Sequence, residues 1–358
     1  MAGHLLLTTD AVGGVWQYSI GLASALAPLG YRVTLAIMGP PANDAQRAEA
    51  TAIPRLQLVE TGLELDWLAA GPEAMLSAEA RLADMAADLR ADLVQLHTPA
   101  LAGAGRFACP VVAMLHSCVA SWWSAVRGGP MPENFVWRTA LVRQGLQRAA
   151  LSIAPSAAFA QAARRIYGTP LLAVHNGRLL TVRQRAMQDI VFTAGRLWDE
   201  GKNLRTLDEA AERIAVPFKA AGSQVSPDGA ALSFKALQPL GMLDGAALAE
   251  YLGSRPVFAS AALYEPFGLA VLEAAQAGCA LILSDIPTFR ELWDGAAIFV
   301  DARDAGGFAH AIEDVLHDGS ARLEAGQAAQ ERARRYAPSA MASRMAGHYA
   351  AVQRRAAA

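Results

Sequence analysis

Short apolar runs alternate with longer amphipathic stretches from one end of this 358-residue chain to the other. Such alternation is typical of βα units, in which buried parallel strands are covered by helices, and it therefore predicts an α/β fold. At about 150 residues per average domain, the length favours two domains. The predicted strands are 4–8, 32–37, 56–59, 93–96, 111–115 and 151–154, followed by 190–194, 216–220, 257–260, 280–283 and 297–300.

A basic stretch with little apolar content, 177–188, separates the two series of strands and is interpreted as an interdomain linker. We therefore predict two doubly wound domains, residues 1–178 and 189–337, that face each other across a cleft. Ligands of such folds bind at the carboxyl ends of the strands. The Ala- and Arg-rich end of the chain, 340–356, is predicted to be helical.

Composition and charge narrow the function classes. Apolar residues make up 53% of the chain and charged residues 18%, and the net charge of −2 gives no support for a nucleic-acid partner. Three cysteines without CxxC spacing indicate neither a disulfide framework nor a zinc site. The N-terminus lacks a signal-peptide pattern, and no apolar run approaches the ~18 residues of a membrane span. We expect a cytoplasmic protein, with attachment to the inner membrane surface left open.

The most informative segment runs from Glu265 to Glu273, between a predicted strand and an Ala-rich helix. Pro266 and Gly268 mark the turn and the first helical position, and Gly278 marks the end of the helix. Side chains lean toward a helix N-terminus, so both carboxylates could converge on a pole that favours phosphate. Hydroxyl-binding carboxylates beside a phosphate site fit a sugar nucleotide. An ordinary helix entry with two solvated glutamates is the alternative.

Other candidate phosphate ligands also follow predicted strands. Arg196 ends the first strand of the second series and Lys202 follows a short polar turn, so the two cations could neutralise a diphosphate. Gly13 and Gly14 open the first helix, where backbone could approach an anion closely. A solvated basic loop and a plain tight turn are the alternatives for these two segments.

His97 and His116 each follow a buried strand, which places both at one edge of the predicted sheet. Histidine suits hydrogen bonding or proton transfer near neutral pH, although a lone histidine is more often a satisfied core residue. The sequence contains no Asp-x-Asp, no H-E-x-x-H and no P-loop. Phosphate charge would then be met by cations of the protein and by helix dipoles, so we expect no metal.

In combination these segments resemble the retaining GT-B glycosyltransferases of family 4, which use sugar nucleotides. The resemblance covers nearly the whole chain in the family's order and implies two Rossmann-like domains. It also implies that a C-terminal helix, here within 338–358, returns to the first domain. The matching segments are Gly13-Gly14, His116, Gly195-Arg196-Leu197, Lys202-Asn203, Leu240-Gly241 and Glu265-Pro266-Phe267-Gly268-Leu269 with Glu273.

The resemblance implies roles for these residues. Arg196 and Lys202 would bind the donor diphosphate and stabilise it as it leaves, and Gly14 would approach the same phosphates from the other domain. Glu273 would hold the ribose hydroxyls, and Glu265 would hold hydroxyls of the transferred sugar. His116 would lie near that sugar, and the backbone N–H groups of Phe267, Gly268 and Leu269 would assist.

Two departures from the family pattern affect these expectations. The usual Pro-Asn-Gly after the first domain is His175-Asn176-Gly177 here, and a Gly-rich turn is reduced to Ala221-Gly222-Ser223, which leaves recognition of the base open. The expected activity is transfer of a hexosyl group from a nucleotide-diphosphate sugar, without cofactor, to a saccharide, lipid-linked or other small acceptor. Trp122, Trp123 and Trp137 are candidates for an acceptor surface or for core packing. A GT-B epimerase or hydrolase and a non-catalytic binding subunit are the competing readings.

Overall fold

The computed structural model describes residues 3–226 and 229–357, and the chain divides into two compact units. The first unit comprises Met1–Gly177 with Pro338–Ala358, and the second comprises Arg178–Ala337. The second unit thus begins 11 residues before the predicted boundary at 189, because residues 178–188 are hydrogen-bonded to it. Gln184 donates to the carbonyl of Ala277, and the Arg185 N–H donates to that of Gly253.

The first unit is built on a seven-stranded parallel sheet with the strand order β3-β2-β1-β4-β5-β6-β7. Every residue of β1 is buried, and its apolar run Leu5-Leu6-Leu7 is typical of a strand that is covered on both faces. Its strands are β1 His4–Asp10, β2 Arg32–Met38, β3 Leu56–Glu60, β4 Leu93–Leu96, β5 Val111–Met114, β6 Leu151–Ala154 and β7 Leu172–Ala173. Its helices are α1 Gly14–Leu26, α2 Asp44–Thr51, α3 Pro72–Asp88, α4 Val119–Val126, α5 Glu133–Arg148, α6 Ala157–Tyr167 and, at the end of the chain, α13 Pro338–Ala357.

The second unit repeats the plan with a six-stranded parallel sheet in the order β10-β9-β8-β11-β12-β13. Its strands are β8 Val191–Ala194, β9 Phe218–Ala221, β10 Gln238–Gly241, β11 Val257–Ser260, β12 Leu281–Ser284 and β13 Ile298–Val300. Its helices are α7 Leu204–Ala211, α8 Gly245–Gly253, α9 Leu269–Gln276, α10 Pro287–Trp293, α11 Ala305–His317 and α12 Gly319–Ala333. In each unit the strand order reverses once, beside β1 and beside β8, and such switch points are where ligands bind in open α/β sheets.

The α/β prediction is confirmed, and all eleven predicted strands are present within a few residues of their predicted ends. Two strands were missed. β7 is only two residues long, and β10 contains Pro239 and shows an irregular register, as expected at the edge of a sheet. Gly268 is the residue before α9 rather than its first helical residue, while Gly278 follows the helix in a left-handed conformation as expected.

The C-terminal helix α13 belongs to the first unit and completes its core. It packs against α1 and buries Met345 and Tyr349 among the apolar residues of that unit. The Tyr349 hydroxyl donates to Oε1 of Gln95 on β4, a residue that lies 254 positions earlier in the chain. The last helix therefore fixes a polar side chain in the middle of the first sheet.

A helix glycine allows a close contact next to the site described below. Gly145 lies in α5 against the turn that begins at Pro99, and a Cβ at position 145 would overlap the Pro99 carbonyl. Gly347, on α13, is also helical, but a Cβ there would meet no atom within 4 Å.

These two glycines give a matched prediction about stability. Gly145→Ala should destabilise the protein by about 1–3 kcal/mol, because the backbone contact with Pro99 must open. Gly347→Ala should stabilise it by about 0.5–1 kcal/mol, since alanine is the better helix residue. Chemical denaturation of both variants measures the two changes. An unchanged free energy of unfolding for Gly145→Ala would show that α5 does not pack as described.

Candidate active site

The loop that follows β8 carries a lysine in a fixed position. Asp199 accepts a hydrogen bond from the Gly201 N–H at 2.9 Å and begins the short 3-10 turn that ends at Lys202. Asn203 adopts a left-handed conformation with φ of 53°, and its side-chain amide donates to the carbonyls of Ala261 and Ala302. The loop is therefore anchored on both sides of Lys202.

The same loop is joined to the segment that follows β11. The Gly201 carbonyl accepts from the N–H groups of Leu263 and Tyr264, at 2.9 and 3.2 Å. Directly after them, Glu265 forms an ion pair with Nζ of Lys202. The side chain of Lys202 is only 22% exposed, and that of Glu265 is 14% exposed. The backbone contacts thus bring a cation and a carboxylate, 63 residues apart, into one place.

Lys202 and Glu265 lie in a small crevice at the carboxyl ends of β8 and β11, which we call the β8 crevice. Gly195 and Gly268 also line it, together with Thr193, Leu197, Ser260, Ala270 and other residues of these strands and loops. Gly195 has φ of 155°, a backbone conformation that other residues rarely adopt, and it lies next to the aliphatic part of Lys202. The crevice therefore combines one positive and one negative group with glycine backbone.

A second glycine supports this arrangement from the neighbouring strand. Gly222, after β9, has φ of 137°, and a Cβ there would overlap the Gly195 carbonyl oxygen. Its own N–H donates to the Gly241 carbonyl at 2.8 Å. The turn that looked reduced in the sequence thus keeps the one glycine that the close approach of β8 and β9 requires.

Arg196 lies apart from the β8 crevice, although its neighbours line it. Its guanidinium donates to Asp199 at 2.8 Å, lies 5.6 Å from the ring of Trp198 and is 60% exposed. Arg196 is therefore held at the surface of the loop, and the structure does not pair it with Lys202 inside the crevice.

The entry of α9 has the form expected for backbone N–H groups that face a ligand. Gly268 precedes the helix with φ of 91°, and a Cβ there would press on Phe289, Val271 and Glu265 at 3.2–3.4 Å. Phe267 is buried in the core, so its side chain is not available for binding. Leu269 begins the helix.

Glu273 has a different partner from Glu265. Its Oε1 accepts from Nε of Arg178 at 2.7 Å, and both side chains are nearly buried, with 10% and 16% of their surfaces exposed. Burial raises the pKa of Glu273, and the nearby Arg178 charge opposes this rise. Sequence reasoning missed Arg178 because it lies 95 residues away, inside the stretch taken for a linker. Its one signal was the basic character of that stretch.

The first unit contains a cavity of about 150 Å³ at the carboxyl ends of β1, β4 and β5. We call it the histidine cavity, because His97 and His116 form part of its wall with their ring centroids 4.7 Å apart at nearly right angles. The sequence prediction that these two histidines lie together is correct. The other lining residues include Asp10, Asp66, Cys118, Arg138 and Tyr167.

Both histidines are neutral. Burial lowers the pKa of His116 to about 3, and burial together with His116 lowers that of His97 well below its usual value. Nε2 of His97 lies 2.9 Å from the Gln95 amide nitrogen, and Nδ1 lies 3.3 Å from the Ser19 hydroxyl. Since Gln95 Oε1 accepts from Tyr349, Gln95 must donate to Nε2, so the proton of His97 is on Nδ1.

The charged groups around the histidine cavity differ in their hydrogen bonding and in their pKa shifts. The guanidinium of Arg138 donates to the carbonyls of Asp66, Asn134 and Ala69 at 2.6–3.0 Å and stacks on Trp137. Burial raises the pKa of Asp66, and the charge of Asp10 adds to the rise. Arg138 is therefore largely committed to the protein. Asp10 and Asp66 are the two carboxylates among the described lining residues, and most of the others are apolar or hydroxyl residues.

The remaining predicted residues also lie in the first unit. Gly13 is the residue before α1 and Gly14 is its first residue, and both are exposed. Trp123 packs edge-on against Phe135, with Trp122 beside it, and all three predicted tryptophans are partly buried. Among residues 3–226 and 229–357, no three His, Cys, Asp or Glu side chains form a group that could hold a metal ion.

Two family models match the chain in consecutive segments. The model for Glycosyltransferase Family 4 matches residues 12–178, and that for Glycosyl transferases group 1 matches residues 183–332. The chain belongs to glycosyltransferase family 4. Its two parallel sheets identify it as a GT-B member of that family.

Solved structures and one characterised relative agree with this assignment. Sucrose-phosphate synthase from Thermosynechococcus elongatus superposes with a TM-score of 0.80 at 19% identity, over 99% of this chain and 100% of that one. Alr3699/HepE of Anabaena, in complex with UDP-glucose, gives 0.74 at 17% identity, over 98% and 100%. A phosphatidyl-myo-inositol mannosyltransferase of Mycolicibacterium smegmatis is 38% identical over 103 residues, 28% of this chain and 27% of that protein.

Within the part of the chain that the structure describes, no helix is both long and apolar enough to cross a bilayer.

Proposed function

We propose that this glycosyltransferase moves a hexosyl group from a nucleotide-diphosphate sugar to a small acceptor, with retention of configuration and without a metal ion. The observation that carries the proposal is the Lys202–Glu265 ion pair in the β8 crevice. It lies at a topological switch point and beside the N-terminal end of α9, where phosphate is favoured. The UDP-glucose complex of the similar Anabaena protein supports a nucleotide sugar as donor.

The ion pair suits a ligand with both phosphate and hydroxyl groups. Lys202 can exchange its carboxylate partner for a diphosphate oxygen, which releases Glu265 to accept hydrogen bonds from sugar hydroxyls. Lys202 then keeps a charged partner and Glu265 keeps hydrogen-bond donors, which offsets part of the cost of separating the pair. Backbone N–H groups at 267–269 and the exposed Arg196 would supply further donors to the phosphates.

The proposed reaction stabilises a leaving group rather than a covalent intermediate. Negative charge develops on the diphosphate as the glycosidic bond breaks, and a lysine held at that point lowers the barrier electrostatically. A phosphate oxygen of the leaving group would accept the proton of the acceptor hydroxyl on the same face of the sugar, which retains the configuration. Glu265 serves sugar hydroxyls in this scheme and is not the nucleophile.

We assign the acceptor to the histidine cavity of the first unit. Its neutral His116 can exchange hydrogen bonds with hydroxyl groups without carrying charge, and its carboxylates can accept from them. The committed Arg138 leaves little positive charge for an anionic acceptor group.

A screen of nucleotide sugars tests the function directly. Purified protein is incubated with UDP-, GDP- and ADP-hexoses and a panel of glycosides, with EDTA present, and products are read by mass spectrometry. We expect at least one glycoside to gain one hexose in an acceptor-dependent reaction, and His116→Gln to reduce it. Nucleotide release that ignores the acceptor would favour a hydrolase, binding without turnover would favour a binding subunit, and a strict need for added divalent ions would contradict metal independence.

Lys202→Ala should lower kcat by about 10²–10³-fold, as observed when single oxyanion donors are removed, because its charge acts on the departing diphosphate. Arg196→Ala should also slow turnover, but less, since its side chain is exposed at the rim of the loop. Initial rates at saturating donor measure both effects.

The control for these variants is Lys235→Ala, which removes a lysine of the same unit whose side chain is 80% exposed and paired with Glu212. Its rate should match that of the unsubstituted enzyme. If Lys202→Ala also kept that rate, the β8 crevice would not be the site of the leaving group.

A further inference from the structure

Glu273 is an almost buried carboxylate with one strong charged partner. Its Oε1 is taken by Nε of Arg178 at 2.7 Å. Its Oε2 accepts no hydrogen bond among the described residues and is not closed off from solvent there. One oxygen of the carboxylate is thus fixed by the protein, and the other is left for a ligand.

Arg178 is held in place through its backbone as well as its side chain. Its carbonyl accepts from Nε2 of Gln276 at 2.6 Å, and its N–H donates to the Tyr336 carbonyl at 3.2 Å. Gln276 also accepts from the Leu180 N–H at 2.9 Å, so it binds the chain on both sides of residue 179. Gln276 lies three residues after Glu273, on the same side of α9. The α9 helix therefore carries both Glu273 and the residue, Gln276, that holds the backbone of Arg178.

Among the described residues, no other charge offsets the effect of burial on the pKa of Glu273. The remaining residues of α9 are uncharged, and so are all residues of β11 and β12, which pack against it. The α12 helix approaches through Ala329 and Gln330, and Tyr336 presents a neutral ring to the same core. Arg178 is the one charged residue that opposes the effect of burial on the pKa of Glu273.

We propose that Arg178 is a positioning residue for the nucleotide: it keeps Glu273 ionised and turned so that the free carboxylate oxygen accepts from the ribose hydroxyls. This inference rests on the proposed use of a nucleotide-diphosphate donor. An ionised carboxylate accepts at both oxygens, whereas a protonated one must donate at one of them. Without Arg178, burial would protonate Glu273 at a higher pH, and nucleotide affinity would be lost as the pH falls through that range.

The experiment measures affinity for UDP, GDP or ADP, whichever binds the unsubstituted protein most tightly, by calorimetry from about pH 8 to about pH 6. The deficit of a variant is the affinity of the unsubstituted protein divided by that of the variant at the same pH. This ratio removes the effect of the ligand's own phosphate, which titrates at about pH 6. Arg178→Gln should show a deficit that grows about tenfold or more as the pH falls. Arg178→Lys should restore most of the affinity and remove most of the pH dependence.

Two further variants separate positioning from simple support of the fold. Glu273→Gln should bind weakly with no growing deficit at low pH, and adding Arg178→Gln to it should change the affinity little. Arg185→Gln is the matched control: it removes an arginine from the same segment, one that pairs with the exposed Glu250. Its affinity should equal that of the unsubstituted protein at every pH.

The outcomes distinguish the inference from the function on which it rests. If the unsubstituted protein binds no nucleoside diphosphate, the proposed function fails and the inference fails with it. If it binds one but the Arg178→Gln deficit is absent or constant with pH, the function stands and the inference is overturned. Thermal unfolding of each variant shows whether a lower affinity reflects a loss of folded protein. If Arg178→Gln does not fold, the inference is tested on Arg178→Lys, whose affinity should stay close to that of the unsubstituted protein at every pH.

Discussion

The ion pair between Lys202 and Glu265 is the interaction on which the described site depends. Nearly buried ion pairs contribute little net stability, because the cost of removing both charges from water offsets their attraction. Here the protein holds the pair with hydrogen bonds to the Asp199 carboxylate and to the Gly201 carbonyl, and with glycines that let the chains approach. An ion pair that contributes little to stability does not by itself explain these contacts. They are explained if Lys202 and Glu265 each bind a group of the ligand.

The second carboxylate illustrates a different use of burial. Glu273 lies within α9, whereas Glu265 lies before that helix, and the burial of Glu273 would favour its protonated form if Arg178 were absent. The histidine cavity shows the opposite solution, since burial there keeps His97 and His116 neutral although Asp10 and Asp66 line the same cavity. Charge state in both units is therefore set by how deeply each group is buried and by which single neighbour faces it.

Much of the architecture could be predicted from the sequence, because buried parallel strands must be short apolar runs. The turn at Gly268 and the loop at Glu265 could also be predicted, because a glycine in a turn and the end of an apolar strand are both visible within a few residues of sequence. Arg178 could not be found in this way. Its partner lies 95 residues away, and nothing near it in the sequence indicates that the segment packs on α9 rather than linking two domains. The exposed position of Arg196 was also not predictable, because its pairing with Asp199 is a matter of side-chain direction.

Hydrogen–deuterium exchange on addition of a nucleotide sugar tests the central claim, that the β8 crevice and the start of α9 bind the donor. The account predicts slower exchange in the second unit at two places, the loop from 195 to 203 and the segment from 265 to 273. The segment from 244 to 253, which contains α8, is the internal reference and should be unchanged. Slower exchange confined to segments outside those two, with a nucleotide sugar that is shown to bind, would contradict the assignment of the site.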